Sequence, residues 1–186
     1  MNVYDFDKTI YDGDSTVDFY RYCLSRHPGI VLCLPRQLFG MLRYKIINNK
    51  TKMKEAFYYF LRKLDNVDTD LELFWDANQK KIKEWYLQQK KEDDVIISAS
   101  PYFLLAEISK RLGVNSVIAS EVDKHTGITT GLNCRDVEKV RRFNEIFQDA
   151  QIDNFFSDSL SDTAMAKRSK YSFIVKGETV IPWEEK

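Results

Sequence analysis

The chain has 186 residues, of which 44% are hydrophobic and 30% charged, with 28 Lys and Arg balanced by 28 Asp and Glu. That is enough for one domain of ordinary size, or one with a modest insertion, and the zero net charge argues against a dedicated nucleic-acid binder. Three cysteines (Cys23, Cys33, Cys134) without a Cys-x-x-Cys pair argue against a disulfide framework or structural zinc and favour a reducing, cytoplasmic setting.

In chain order, residues 3–6 read as a buried strand that starts too close to Met1 to leave room for a signal peptide. Asp5 and Asp7 stand at its tip. Alternate residues of a strand face the same way, so the two carboxylates share a face about 6–7 Å apart along the chain. Such a pair needs compensation, and a divalent cation is the usual answer. Asp12-Gly13-Asp14 is a turn. Ser15 with Asp18 reads as a capping box for a helix running to Arg26 and stopped by His27-Pro28-Gly29. Further helices are expected over 30–47 and 51–64. A second capping box, Thr69 with Glu72, opens one carrying Phe74, Trp75, Ile82, Trp85 and Tyr86. The apolar stretch 30–47 is interrupted by Pro35, Arg36, Gln37, Arg43 and Lys45, too often to span a bilayer.

Beyond residue 90 the pattern changes. Val95-Ile96-Ile97 reads as a parallel strand covered on both faces. Ser100-Pro101 starts a helix with Pro at its first position, and Gly113 stops it. Strands follow at 116–119, 154–156 and 172–175, helices at 136–150 (capped by Asp136) and 162–169, and an antiparallel flap near 127–131. The alternation predicts an α/β fold: a three-layer Rossmann-like parallel sheet core over 1–12 and 93–186, with an inserted α-helical cap over 13–92. His27 and His125 read as structural or surface residues.

On such a sheet, ligands bind beyond the carboxyl ends of the strands. Asp5, Asp7, Ser98 and Asp158 all fall there, Asp162 follows four residues after Asp158, and Lys139 lies in the first turn of a helix. A cation in a first turn opposes the helix dipole, which a bound anion would offset.

These motifs, Asp5-Phe6-Asp7-Lys8-Thr9-Ile10, Ile96-Ile97-Ser98-Ala99-Ser100-Pro101, Lys139 and Phe156-Ser157-Asp158-Ser159-Leu160-Ser161-Asp162, resemble those of the haloacid dehalogenase superfamily of phosphohydrolases. Within it, the chain is similar to the phosphoserine-phosphatase-like subclass, whose helical cap follows the first motif. The resemblance implies an aspartyl-phosphate mechanism on a small phosphorylated substrate. Asp5 would be the nucleophile and Asp7 the general acid and base. Thr9, Ser98 and Lys139 would serve the phosphate, with Thr9 bracing the loop. Mg²⁺ would be held by Asp5, Asp158 and the carbonyl of Asp7, with Asp162 in support. A phosphotransferase or mutase is the alternative within the superfamily.

Several residues depart from true phosphoserine phosphatases. Asp14 stands where those enzymes carry a Glu for the amino group, Ser98-Ala99-Ser100 replaces Ser-Gly-Gly, Ser157 replaces a commoner Gly, and no cap arginine for the carboxylate is evident. From Phe19 to Lys63 there are ten Lys or Arg against one acid, Glu55. The reading is a bundle with an aromatic core and a solvated basic surface. The alternatives are attraction of an anionic substrate, a lipid phosphate on an anionic membrane surface, or a non-catalytic anion-binding module.

Overall fold

The computed structural model describes residues 1–47, 50–148 and 150–184. Its strands are β1 (Asn2–Tyr4), β2 (Val95–Pro101), β3 (Ser116–Ser120), β4 (Ile152–Ser157), β5 (Ser169–Lys176) and β6 (Thr179–Pro182). Its helices are α1 (Ser15–Arg26), α2 (Leu34–Ile47), α3 (Lys50–Tyr58), α4 (Val67–Asn78), α5 (Glu84–Gln89), α6 (Tyr102–Leu112), α7 (Val137–Phe147) and α8 (Thr163–Arg168). The strands form one sheet in the order β3-β2-β1-β4-β5-β6, parallel except for the antiparallel β5–β6 pair. The order switches beside β1, which opens a crevice at its carboxyl end between the flanking crossovers.

The expected α/β three-layer architecture is present. Val3, Val95, Ile97 and Phe155 pack with Phe143 of α7 and Met165 of α8 on one face. Tyr4, Ile96 and Phe156 face the other way, in a cluster with Leu104, Leu105 and Ile108 of α6. Both faces are covered, which is why these strands read as unbroken apolar runs. The second cluster continues into the inserted helices through Phe19, Phe74, Trp75 and Tyr86. Trp75 joins the layers: its indole N–H donates to the Leu104 carbonyl at 2.9 Å, and its ring stands edge-on to Phe6 and Tyr11.

Several local expectations are corrected. The cap of α1 is Asp14, which accepts from the Val17 N–H at 3.0 Å; Ser15 is already helical. Asn66, rather than Thr69, caps α4, accepting from the Thr69 N–H at 3.2 Å. The second and third helices each lose a turn to 3₁₀ geometry, at Pro28–Cys33 and Tyr59–Lys63. The fourth breaks after Asn78 because the chain is drawn into backbone pairing with the loop after β1. Ile82 bridges Tyr11, and the Lys83 N–H donates to the Ile10 carbonyl at 2.8 Å. Trp85 and Tyr86 therefore lie on α5.

Pro101 is the cap of α6, not its first residue, because β2 runs on to pair Pro101 with Ser120 after a shift in register. Asp136 precedes α7, but its side chain makes no capping bond. The helix ends at Phe147, where Gln148 takes a positive φ of 49°; residue 149, in the expected extension, lies outside the described residues. β6 is an addition, reached by a tight turn at Gly177 (φ 59°).

The flap is a tight turn, in which Val122 bridges Thr129 and the Gly127 N–H donates to the Asp123 carbonyl at 2.8 Å. Gly127 has a φ of 73°, and a Cβ there would lie 2.4 Å from the Tyr58 carbonyl oxygen. The flap and α3 meet at a contact only glycine permits. Gly127→Ala should therefore lower stability by roughly 1–3 kcal/mol through backbone strain, with more from the clash, as read by urea unfolding. An unchanged midpoint would show that the two segments are not packed this closely.

Candidate active site

β1 ends at Tyr4, and the Asp5 N–H prolongs the ladder by donating to the Phe156 carbonyl at 2.8 Å. The loop then curls about the Phe6 carbonyl, which accepts from Thr9, Ile10 and Tyr11. Lys8 takes a positive φ of 59°, and the Lys83 ammonium donates to its carbonyl. This curl holds Asp5 and Asp7 at the edge where the sheet order switches.

Lys139, 2% exposed in the first turn of α7, donates to Asp5 Oδ1 and Asp162 Oδ2, each at 2.7 Å. The Ser157 hydroxyl donates to the same Asp162 oxygen at 2.9 Å. α7 is itself pinned. Arg142 donates to the Ala119 and Leu132 carbonyls, and Glu138 receives both Arg141 and Arg142. Hydrogen bonds from Arg141, reinforced by Arg142 against partial burial, hold the Glu138 carboxyl down at about 2.

Burial pushes the Asp5 carboxyl up to about 7, with the Asp162 and Asp7 charges adding and Lys139 opposing. Burial works against the Lys139 ammonium, but Asp5 and Asp162 overcome it and the net shift is upward, so it stays charged. Burial also raises Asp7, helped by Asp14 and opposed by hydrogen bonds from Ser100 and Ser15. The Asp7 carboxylate receives the Ser15 N–H at 2.6 Å, at the positive end of α1, and the Ser100 hydroxyl on its other oxygen. Asp158, half-buried just past β4, is likewise raised by burial, with Lys8 as the leading opposing charge.

The structure thus brings Asp5, Lys139 and Asp162 into direct contact. Ser98 lies within β2 rather than after it and is buried, its hydroxyl accepting the Ser100 N–H at 3.1 Å. Thr9 is buried beneath the loop, its hydroxyl without a hydrogen-bond partner among the described residues. The donor set around Asp5 and Asp158 is hard oxygen carried on desolvated acids, which suits Mg²⁺ chemically. Among the described residues no three acidic, His or Cys side chains already converge as a metal cage.

Three contributors escaped the sequence reading. Ser100 and the Ser15 N–H hold Asp7. The third is Lys54 of α3, whose ammonium donates to the Ala99 carbonyl at 2.7 Å and Asn133 Oδ1 at 2.6 Å. Burial lowers its pKa, while Asp7 and Asp14 act to raise it. The lone acid Glu55 beside it offers no reason to select one of the ten basic residues; only the fold does. The inserted segment also carries His27, partly exposed, which lies 2.9 Å from the buried Asp70 carboxylate in a structural pair.

Replacing Lys139 leaves buried acids without their cation. Lys139→Met should cost about 3–5 kcal/mol near pH 8. The sign follows from Asp5: burial raises its folded pKa above the unfolded value. The penalty on the charged form is thus present above that folded pKa and relieved as the pH falls through it. Urea unfolding at pH 8 and pH 5 should show the deficit shrink; an equal deficit would count against a charge-based role.

A family model described as haloacid dehalogenase-like hydrolase matches residues 3–167. No curated protein sequence matches the chain. Among solved structures, a protein of unknown function from Bordetella pertussis Tohama I is similar at 19% identity and a TM-score of 0.73, over 92% of this chain and 87% of that one. A phosphoserine phosphatase in apo form is similar at 15% identity and 0.55, over 91% and 82%. A phosphoserine phosphohydrolase-like protein from Francisella tularensis gives 12% and 0.54, over 92% and 86%. At such identities the shared property is the fold. The family match spans nearly the whole catalytic frame from β1 to α8, and the chain belongs to the haloacid dehalogenase-like hydrolases.

Proposed function

We propose that the protein is a phosphomonoester hydrolase acting through Asp5. The observation that carries this reading is the Asp5–Lys139–Asp162 contact at the switch in strand order, with Asp7 held separately two residues on. Asp5 attacks phosphorus in line with the leaving oxygen, forming an acyl phosphate as the P–O bond to the leaving group breaks. Asp7 gives the leaving oxygen its proton. It then takes one from the water that cleaves the intermediate, freeing phosphate and restoring the Asp5 carboxylate. A burial-raised pKa suits Asp7 to both duties. Lys139 and Ser98 face the charge that spreads over the phosphoryl oxygens. Thr9 braces the loop.

Mg²⁺ fits the donor set of Asp5, Asp158 and the Asp7 carbonyl, supported by Asp162, and when bound it offsets the repulsion between carboxylate and phosphate. The substrate is a small phosphorylated metabolite. Phosphoserine itself is disfavoured, since the Asp14 carboxylate serves as the cap of α1. Residues 13–92 act as the cap that selects it, and Lys54 is a cationic contact of theirs with the chemical edge, beside the Ser15 N–H on Asp7.

Asp5→Asn should lower hydrolysis of p-nitrophenyl phosphate, measured with Mg²⁺, by roughly 10³-fold or more, since Asn cannot serve as the nucleophile. Retained turnover with an intact fold would overturn the mechanism. A panel of phosphorylated metabolites against this blank then identifies the leaving group. Lys54→Met should raise KM about tenfold with a smaller change in kcat, as expected for loss of ground-state attraction. A fall in kcat alone would place Lys54 in the chemistry instead.

A further inference from the structure

Helix α2 is inside out. Its inward positions are Cys33 just before it and then Gln37, both buried, followed by half-buried Gly40 and Tyr44. Up to Tyr44, that face is narrow and largely polar or small. Gln37 accepts from the Tyr20 hydroxyl and donates to the Phe57 carbonyl, each at 2.9 Å. Gly40 lies so close to α3 that a Cβ would fall 2.3 Å from that of Ala56. The large apolar residues described at 34–42 point outward instead. Leu38, Phe39, Met41 and Leu42 are 57%, 64%, 55% and 61% exposed, and Leu32 in the preceding 3₁₀ turn is 77% exposed. An ordinary surface helix has the opposite pattern. A contiguous apolar strip of this kind marks a contact surface.

Charge indicates what covers it. Arg36 and Arg43 flank the strip on the side of Phe39 and line a cavity of about 650 Å³ with Tyr59, over which Arg36 stacks at 4.3 Å. They belong to the stretch with ten basic residues against Glu55, while the remainder of a neutral chain holds the balancing acids. A second copy docked face to face would set this positive excess against itself. A helix of 14 residues, about 21 Å long, cannot cross a bilayer, and among the described residues no helix is long and apolar enough to do so.

We propose that the outer face of α2 and the turn before it docks the protein on an anionic phospholipid surface. The helix lies in the interface plane, with Leu38, Met41 and Leu42 immersed and Arg36 and Arg43 at headgroup level. This stands independently of the catalytic reading, since none of these residues touches Asp5 or Asp7.

The test is co-sedimentation with vesicles of phosphatidylcholine containing phosphatidylglycerol. Binding is expected at low salt and should weaken as salt rises. The double variant Leu38→Glu/Leu42→Glu should bind about tenfold less or weaker, with unchanged circular dichroism and p-nitrophenyl phosphate hydrolysis. A second readout does not depend on that variant folding. Cys23, Cys33 and Cys134 are buried, so Leu38→Cys takes an environment-sensitive dye selectively, and its emission should shift to the blue on adding anionic vesicles. No binding at low salt, equal binding to pure phosphatidylcholine, undiminished binding by the folded double variant, or an unshifted dye would each overturn the proposal. So would a dimer in sedimentation that the double variant abolishes while vesicles go unbound; the face would then belong to a second copy.

Discussion

One buried lysine organises the carboxyl edge of the sheet. Lys139 touches acids from two segments far apart in sequence, Asp5 after β1 and Asp162 after β4. The buried ammonium offsets the two carboxylates around it, and they offset the cost of burying the ammonium. The cluster is therefore sensitive to the placement of α7. That explains the hardware behind it: Glu138 gripped by two arginines, and Arg142 reaching the carbonyls of Ala119 and Leu132. Stability is invested in orientation, which a site built on charge requires.

Much of this was legible in the sequence. Continuous apolar runs announced strands with helices on both faces, and Val3, Tyr4, Phe155 and Phe156 alternate between the two cores accordingly. Asp5, Asp158 and Lys139 could be placed at one edge because parallel topology leaves few other arrangements. What failed was local. The sequence pattern points to Ser15 and Thr69 as caps, whereas Asp14 and Asn66 do the capping, since several adjacent residues could accept the same N–H groups. The helix expected through Ile82 gave way to pairing with Tyr11, a contact between residues 71 apart that no local pattern encodes. Lys54 and Ser100 were invisible for the same reason: their partners, Asn133 and Asp7, come from other parts of the chain.

The inserted helices divide into two kinds. α4 and α5 are bound to the sheet by aromatic packing, with Tyr86 edge-on to Tyr4 and Trp85 near Phe156. The α2–α3 hairpin is anchored at its far end by Tyr58 in the core and Phe57 against Tyr20, and elsewhere by Gln37, the Gly40–Ala56 approach, Lys54 and the flap at Gly127. Any motion that admits substrate should concentrate in α2, whose described outer residues are exposed.

The continuous core from Tyr4 through Trp75 has a consequence for exchanging parts between related enzymes. A graft cut at residues 13 and 92 would sever the indole bond from Trp75 to Leu104 and part Trp85 and Tyr86 from the Phe156 and Tyr4 rings they cover. The unit that can be transplanted is shorter. It is the hairpin from the 3₁₀ turn at Pro28–Cys33 to the one at Tyr59–Lys63, which carries Lys54, the basic residues and the outward-facing leucines together. Lys54 and the exposed apolar strip would then move as one cassette, while the acids and the lysine stay with the sheet.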